Sequence, residues 1–280
     1  MEIDCRMHAD DTTATDDAPA ARPAGPRPGD TYVQSFARGL QVIRSFSAQS
    51  PQQTLSEVAQ RAGLTRAGAR RILLTLEGLG YVRSNGRQFS LAPRILDLGF
   101  AYLSSLPLWN LAEPVMERLV EEVKESCSAA VLDGPEIVYV LRVPTHKIMS
   151  INLGIGSRLP ADCTSMGRTL LAEMDTPALE ALLHEHPPRR RTARTITDIG
   201  ALKRELARVH EQGWCLVDQE LEEGLVSLSA PIRDRAGRAI AAMNISGQVN
   251  RTSPEYMREH FLPRLRVAAA EISEMLQRKS

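Results

Sequence analysis

The sequence predicts a multi-domain protein containing both α and β structure: an N-terminal winged helix-turn-helix, a linker helix and a C-terminal α+β sensor domain. Three observations carry that prediction. Residues 54–91 read as two short helices followed by a hairpin, positive charge gathers around them, and beyond residue 110 strands alternate with amphipathic helices. At 280 residues the chain has length for about two domains. The expected boundaries are 1–30 for a disordered tail, 31–92 for the winged helix, 93–107 for the linker and 108–280 for the sensor domain.

Residues 1–30 are rich in Asp, Ala, Thr and Pro and bury too little apolar surface to order themselves. From Ser35, Phe36, Leu40, Ile43 and Phe46 fall on one helical face. Thr54 and Glu57 then form a capping box, and Leu55, Val58, Ala59 and Ala62 repeat at helical spacing behind it. Gly63 suits the left-handed residue that ends this helix, and Thr65 caps the next.

The second helix has two distinct faces. Ala69, Ile72, Leu73, Leu76 and Leu79 gather on one side, while Ala67, Arg70, Arg71 and Leu74 project from the other with Arg66 at the flank. A narrow arginine-bearing face fits a major groove, where arginine forms bidentate bonds to guanine. Gly80 ends the helix, and residues 81–83 and 88–91 make a hairpin through Asn85-Gly86, a strong tight-turn signal. A solvated helical hairpin would also carry exposed arginines, so the charge distribution decides. Residues 31–94 hold nine arginines, no lysine and two acids, a net charge of +7 in a chain that is neutral overall. That concentration is the electrostatic footprint of a phosphate-binding module. The expected contacts to double-stranded DNA are Thr65, Arg66, Ala67, Arg70, Arg71 and Leu74 on the helix, with Arg83 and Arg87 on the wing.

Pro93 starts a linker helix whose apolar residues, from Ile95 to Leu106, are expected to pack against another element or subunit. Asn110 and Glu113 suggest a second capping box. Strands are then expected at 127–132, 137–143 and 147–153, helices at 165–173, 176–184 and 199–211, and strands at 214–217, 225–232 and 238–246. Ser253-Pro254 caps a terminal helix reaching about Gln277.

The sequence holds no GxSxG elbow, no GxxxxGK[ST] loop and no HExxH. His184-Glu185-His186 lacks the i, i+4 spacing of helical metal ligands, and Arg189-Arg190-Arg191 reads as a solvated loop. No cofactor is expected. Cysteines 5, 127, 163 and 215 show no CxxC spacing, which argues against zinc and disulfide frameworks and points to a reducing cytoplasm. No apolar run reaches the roughly 18–20 residues a membrane span needs.

In this order the elements resemble the IclR family of transcriptional regulators over about residues 32–278. Arg158-Leu159-Pro160, the segment Thr164–Ala172 (TSMGRTLLA), Gly224-Leu225 and Asn244–Gly247 carry the resemblance. The stretch 142–172 is most similar to the branch that controls protocatechuate, 4-hydroxybenzoate and β-ketoadipate catabolism. The resemblance implies a ligand-responsive DNA-binding regulator and no enzyme activity. It also implies a GAF-like effector domain, a small organic acid as effector, and homodimers that often pair into homotetramers. Carried over residue by residue, it implies a pocket of Leu159, Thr164, Ser165, Met166, Val217, Asp218, Glu220, Leu225, Ser227, Asn244 and Ser246. Met166, larger than the residue in some relatives, is expected to narrow that pocket. The rival readings are a small-molecule enzyme carrying a DNA-binding domain and a ligand-independent DNA-binding protein.

Elementary chemistry overlaps with the implied pocket. Thr164 and Ser165 stand where free N–H groups at a helix start receive an anion, and Asn244 and Ser246 share a strand face. A buried carboxylate needs a partner. Arg142, Arg158 and the 164–165 segment are the candidates, and the expected arrangement sets Ser165 with Arg142 on the carboxylate and Asn244 with Ser246 on a hydroxyl or keto oxygen.

Overall fold

The computed structural model describes residues 32–104, 108–145 and 153–278, and the chain divides into two compact units on either side of the Asp97–Leu98 bond. The tail at 1–30 and most of the strand expected at 147–153 lie outside the described residues, as does the end of the expected linker helix.

The first unit is built on α1 (Gln34–Arg44), α2 (Leu55–Arg61) and α3 (Arg66–Gly78). Val42, Phe46, Val58, Ala62, Leu73, Leu76 and Val82 form its core. The capping box is present: Thr54 N–H donates to the Glu57 carboxylate at 2.7 Å, and Glu57 N–H donates back to the Thr54 hydroxyl at 3.4 Å. Gly63, at φ +63°, takes the left-handed turn between α2 and α3. The hairpin β2 (Val82–Ser84) and β3 (Gln88–Leu91) is joined by a third strand, β1 (Gln52–Thr54), in the order β1-β3-β2. β1 has no apolar run to announce it. It is held by register, Gln53 facing Phe89, and by the buried Gln53 amide donating to the Ser45 carbonyl at 2.9 Å.

After a single 3₁₀ turn at Pro93–Ile95, α4 (Leu96–Ser104) carries four largely exposed apolar side chains, Leu96, Leu98, Phe100 and Tyr102. The next helix, α5 (Leu108–Val123), is already helical at Leu108, so Asn110 sits inside it and does not cap it.

The second unit is a six-stranded antiparallel sheet covered by helices on both faces. Its strands are β4 (Ser126–Asp133), β5 (Glu136–Val143), β6 (Arg158–Pro160), β7 (Cys215–Asp218), β8 (Leu225–Arg233) and β9 (Ala239–Gln248), in the order β6-β5-β4-β9-β8-β7. One face packs on α5 and on the terminal helices. These begin as α9 (Pro254–Tyr256), pass through one π turn at Met257–Phe261, and continue as α10 (Leu262–Arg278). The other face carries α6 (Ser165–Leu171), with α7 (Thr176–Glu185) and α8 (Ile199–Gln212) beyond it. Every residue of α6 is buried. Its closeness to the preceding loop requires glycine at 167, because a Cβ there would lie 2.3 Å from the Ala161 carbonyl oxygen.

Candidate functional site

In the second unit, strand register assembles a polar face beneath α6. Arg142, Ser128, Asn244 and Ser229 stand side by side across β5, β4, β9 and β8, and Ser126, Ser246, Ser227 and Val217 form the neighbouring row. Ser165 and Thr169, one turn apart on α6, meet two residues of β8: Ser165 Oγ lies 2.8 Å from Ser227 Oγ, and Thr169 Oγ1 2.7 Å from Ser229 Oγ. Asn244 Nδ2 donates to Ser227 at 2.9 Å and to Ser246 at 2.8 Å, while its Oδ1 accepts from Ser128 N–H at 3.2 Å. Ser227 and Ser246 are themselves 3.1 Å apart. Ser165, Ser227 and Ser246 thus bring three hydroxyl hydrogens to two hydroxyl–hydroxyl bonds. One hydrogen is left over for another acceptor.

That cluster borders a cavity of about 30 Å³. Its walls include Arg142, Leu159, Thr164, Ser165, Met166, Val217, Leu225, Ser227, Asn244 and Ser246, all expected from the sequence, together with Tyr139, Leu153, Cys163 and Leu221, which were not. Thr164 caps α6, its hydroxyl accepting from Gly167 N–H at 3.3 Å and donating to the Pro160 carbonyl at 2.8 Å. The volume suits a water or two; a benzene ring fills on the order of 150 Å³. Arg142 is the one charged side chain among the described residues lining the cavity. Cys163 presents a thiol whose pKa burial pushes up to about 12, as it does for Cys215, so both are neutral thiols.

Two residues expected in the pocket lie outside its wall. Glu220 is buried against Arg168 in two parallel hydrogen bonds of 2.6 Å, and it also accepts from Ile196 N–H at 2.9 Å. Asp218 pairs with Arg194 towards solvent. Both carboxylates therefore answer guanidiniums of the protein. Ser165 likewise does not join Arg142; its hydroxyl belongs to the Ser227 cluster. Arg158 is also committed elsewhere, at 2.7 Å to Asp133 and 2.7 Å to Glu136.

In the first unit, α3 turns Ala69, Leu73 and Leu76 inward and leaves Arg66, Ala67, Arg70, Arg71 and Leu74 exposed. Thr65 caps it, accepting from Gly68 N–H at 3.1 Å. Arg83 and Arg87 are exposed on the wing, where Asn85 Oδ1 accepts from the N–H groups of Arg87 and Gln88. None of these five guanidiniums is ion-paired with a described residue, so each keeps its donors for an outside anion.

Comparison with known proteins agrees with this division. Residues 35–86 match the IclR helix-turn-helix domain, and residues 100–274 match the bacterial transcriptional regulator IclR C-terminal domain. The chain is 42% identical to the Pca regulon regulatory protein of Pseudomonas putida over 246 residues, covering 88% of this chain and 84% of that one. Among solved structures, one described as a transcriptional regulator from Rhodococcus sp. RHA1 is 49% identical with a TM-score of 0.80, covering 88% of this chain and 98% of that chain. An IclR homolog from Microbacterium hydrocarbonoxydans complexed with 4-hydroxybenzoate is 28% identical with a TM-score of 0.78, covering 87% and 99%.

Proposed function

Because the chain belongs to the IclR family of bacterial transcriptional regulators, we propose that it controls genes for aromatic-acid breakdown by binding promoter DNA in response to a small aromatic acid. The observation that carries this reading is the presence in one chain of a winged helix whose arginines have no ion-pair partner among the described residues and of a cavity whose described lining holds one cation and a hydroxyl cluster. Thr65, Arg66, Ala67, Arg70, Arg71 and Leu74 meet the major groove, and Arg83 and Arg87 the flanking backbone. Leu159, Thr164, Ser165, Met166, Val217, Leu225, Ser227, Asn244 and Ser246 enclose the effector, whose carboxylate pairs with Arg142. The regulator works as a cytoplasmic homodimer, two of which associate on DNA, with the exposed apolar face of α4 buried between subunits.

The cavity chemistry favours a monocarboxylate such as 4-hydroxybenzoate or protocatechuate over β-ketoadipate. Among the described residues lining the cavity, a second buried carboxylate would face neutral hydroxyls with no second cation to balance it. A ring also exceeds the present cavity, so binding must displace side chains such as Met166 and Leu221; that displacement is a means of coupling ligand to DNA affinity. Calorimetry on the full chain tests this reading: 4-hydroxybenzoate or protocatechuate should bind and be recovered unchanged. Binding of β-ketoadipate alone, or consumption of the acid, would refute it.

A further inference from the structure

Strand β5 contains an irregularity that decides which side chains reach the cavity. Leu141 pairs with Ala129 and Tyr139 with Ala130, so Val140 has no partner of its own on β4. In a regular strand, residues 139 and 142 would point to opposite faces of the sheet. The extra residue places both on the face beneath α6, while Val140 and Leu141 pack into the core on the opposite side.

Tyr139 is 4% exposed, and its hydroxyl makes no hydrogen bond to a described residue although it borders the cavity. Burial raises its pKa to about 12 against the opposing pull of the nearby Arg142 guanidinium. The group is therefore a neutral O–H donor beside a cation, with no acceptor supplied by the described chain.

We infer that Tyr139 and Arg142, brought to one face by the bulge, form the carboxylate-recognising end of the effector cavity. The guanidinium supplies charge and the phenol donates to a carboxylate oxygen. This rests on the effector reading above. Arg142 lies two strands from Asn244 and Ser246, or about 10 Å between backbones at the usual strand spacing. A benzene ring bridges that interval once the side chains are included. The leftover hydrogen of the Ser165–Ser227–Ser246 cluster then meets an oxygen on the far side of the ring. Tyr139 is thus a specificity determinant that reads the acid group, and the serine cluster reads the hydroxyl.

The test crosses two ligands with three variants of the full chain by calorimetry. Tyr139→Phe should weaken 4-hydroxybenzoate and benzoate by the same factor, about tenfold or more, the scale of a hydrogen bond to a charged group. Arg142→Gln should show the same pattern across the two acids. Ser246→Ala should weaken 4-hydroxybenzoate and spare benzoate. A Tyr139→Phe variant within twofold of wild type for both acids would overturn the assignment, as would a loss confined to 4-hydroxybenzoate. Should Tyr139→Phe fail to fold, an Arg142→Gln variant that keeps benzoate while losing 4-hydroxybenzoate is equally fatal. If wild type binds neither acid, the effector reading falls as well, which separates that failure from a misplacement of Tyr139.

Discussion

Arg168 and Glu220 lie 52 positions apart and meet through two parallel hydrogen bonds of 2.6 Å in the interior of the second unit. The pair fastens α6, which forms one wall of the cavity, to the turn after β7, which contributes Leu221 to another. Burial works against the arginine's charge, yet the Glu220 carboxylate outweighs it and raises the Arg168 pKa. At the base of that turn, Gln219 takes a left-handed φ of +61°, held by Gly224 N–H donating to its side chain at 2.9 Å.

Removing one partner leaves the other charge buried and alone. Arg168→Ala should therefore cost about 3–5 kcal/mol in denaturant unfolding. Arg194→Ala, which breaks the solvent-facing pair with Asp218, should cost about 1 kcal/mol or less. Equal losses in the two variants would refute the distinction between them.

On DNA, Arg70→Ala or Arg71→Ala should weaken operator binding by about 1–3 kcal/mol where the contact is a base edge. Arg83→Ala and Arg87→Ala should act evenly across sequences and lower the salt slope by about 1 each. Mobility-shift titrations at several salt concentrations measure both effects. Wild-type binding by all four variants would exclude this face.

Subunit pairing is probed on α4. Leu98 and Phe100 are 50% and 69% exposed, whereas Leu103 packs into the core of its own unit. Leu98→Asp and Phe100→Asp should shift sedimentation towards monomer without lowering the unfolding temperature much. Leu103→Asp should destabilise the fold itself. A wild type that sediments as a monomer while binding its operator tightly would refute the assembly.

Acid stability should depend on Glu173. Its hydrogen bonds to Arg233, at 2.7 and 2.9 Å, hold its pKa below the ordinary 4.5. The resulting stabilisation is complete above the unfolded-state pKa and is lost as pH falls through the folded value. Glu173→Gln should flatten the acid limb of the stability profile. An unchanged limb would mean the pair contributes nothing.

Much of this was legible in the sequence. The winged helix followed from local signals: the Thr54–Glu57 box, Gly63, and Asn85-Gly86. Nine cavity residues could be placed by resemblance, because α6 and strands β8 and β9 occupy well-marked segments, and Arg142 by the need of a buried carboxylate for a cation. What escaped depends on pairing between distant strands. Nothing local marks the bulge at Val140, so the strand expected at 137–143 gave no sign that Tyr139 borders the cavity. The short strand β1 is defined by its partner and carries no periodicity of its own. Glu220 read as a pocket acid because its partner Arg168 stood on a helix whose burial no single-helix pattern reveals.

One small acid is expected to set the affinity of this chain for DNA without being consumed. The direct measurement is fluorescence anisotropy of labelled promoter DNA titrated with the full chain, with and without saturating 4-hydroxybenzoate or protocatechuate, followed by chromatography of the acid. The expected result is a shift in DNA affinity of about 5–150-fold in either direction, the usual range of allosteric coupling, with the acid recovered intact. Identical DNA affinity with and without each acid would contradict the claim and leave a ligand-independent DNA-binding protein; conversion of the acid would make the chain an enzyme.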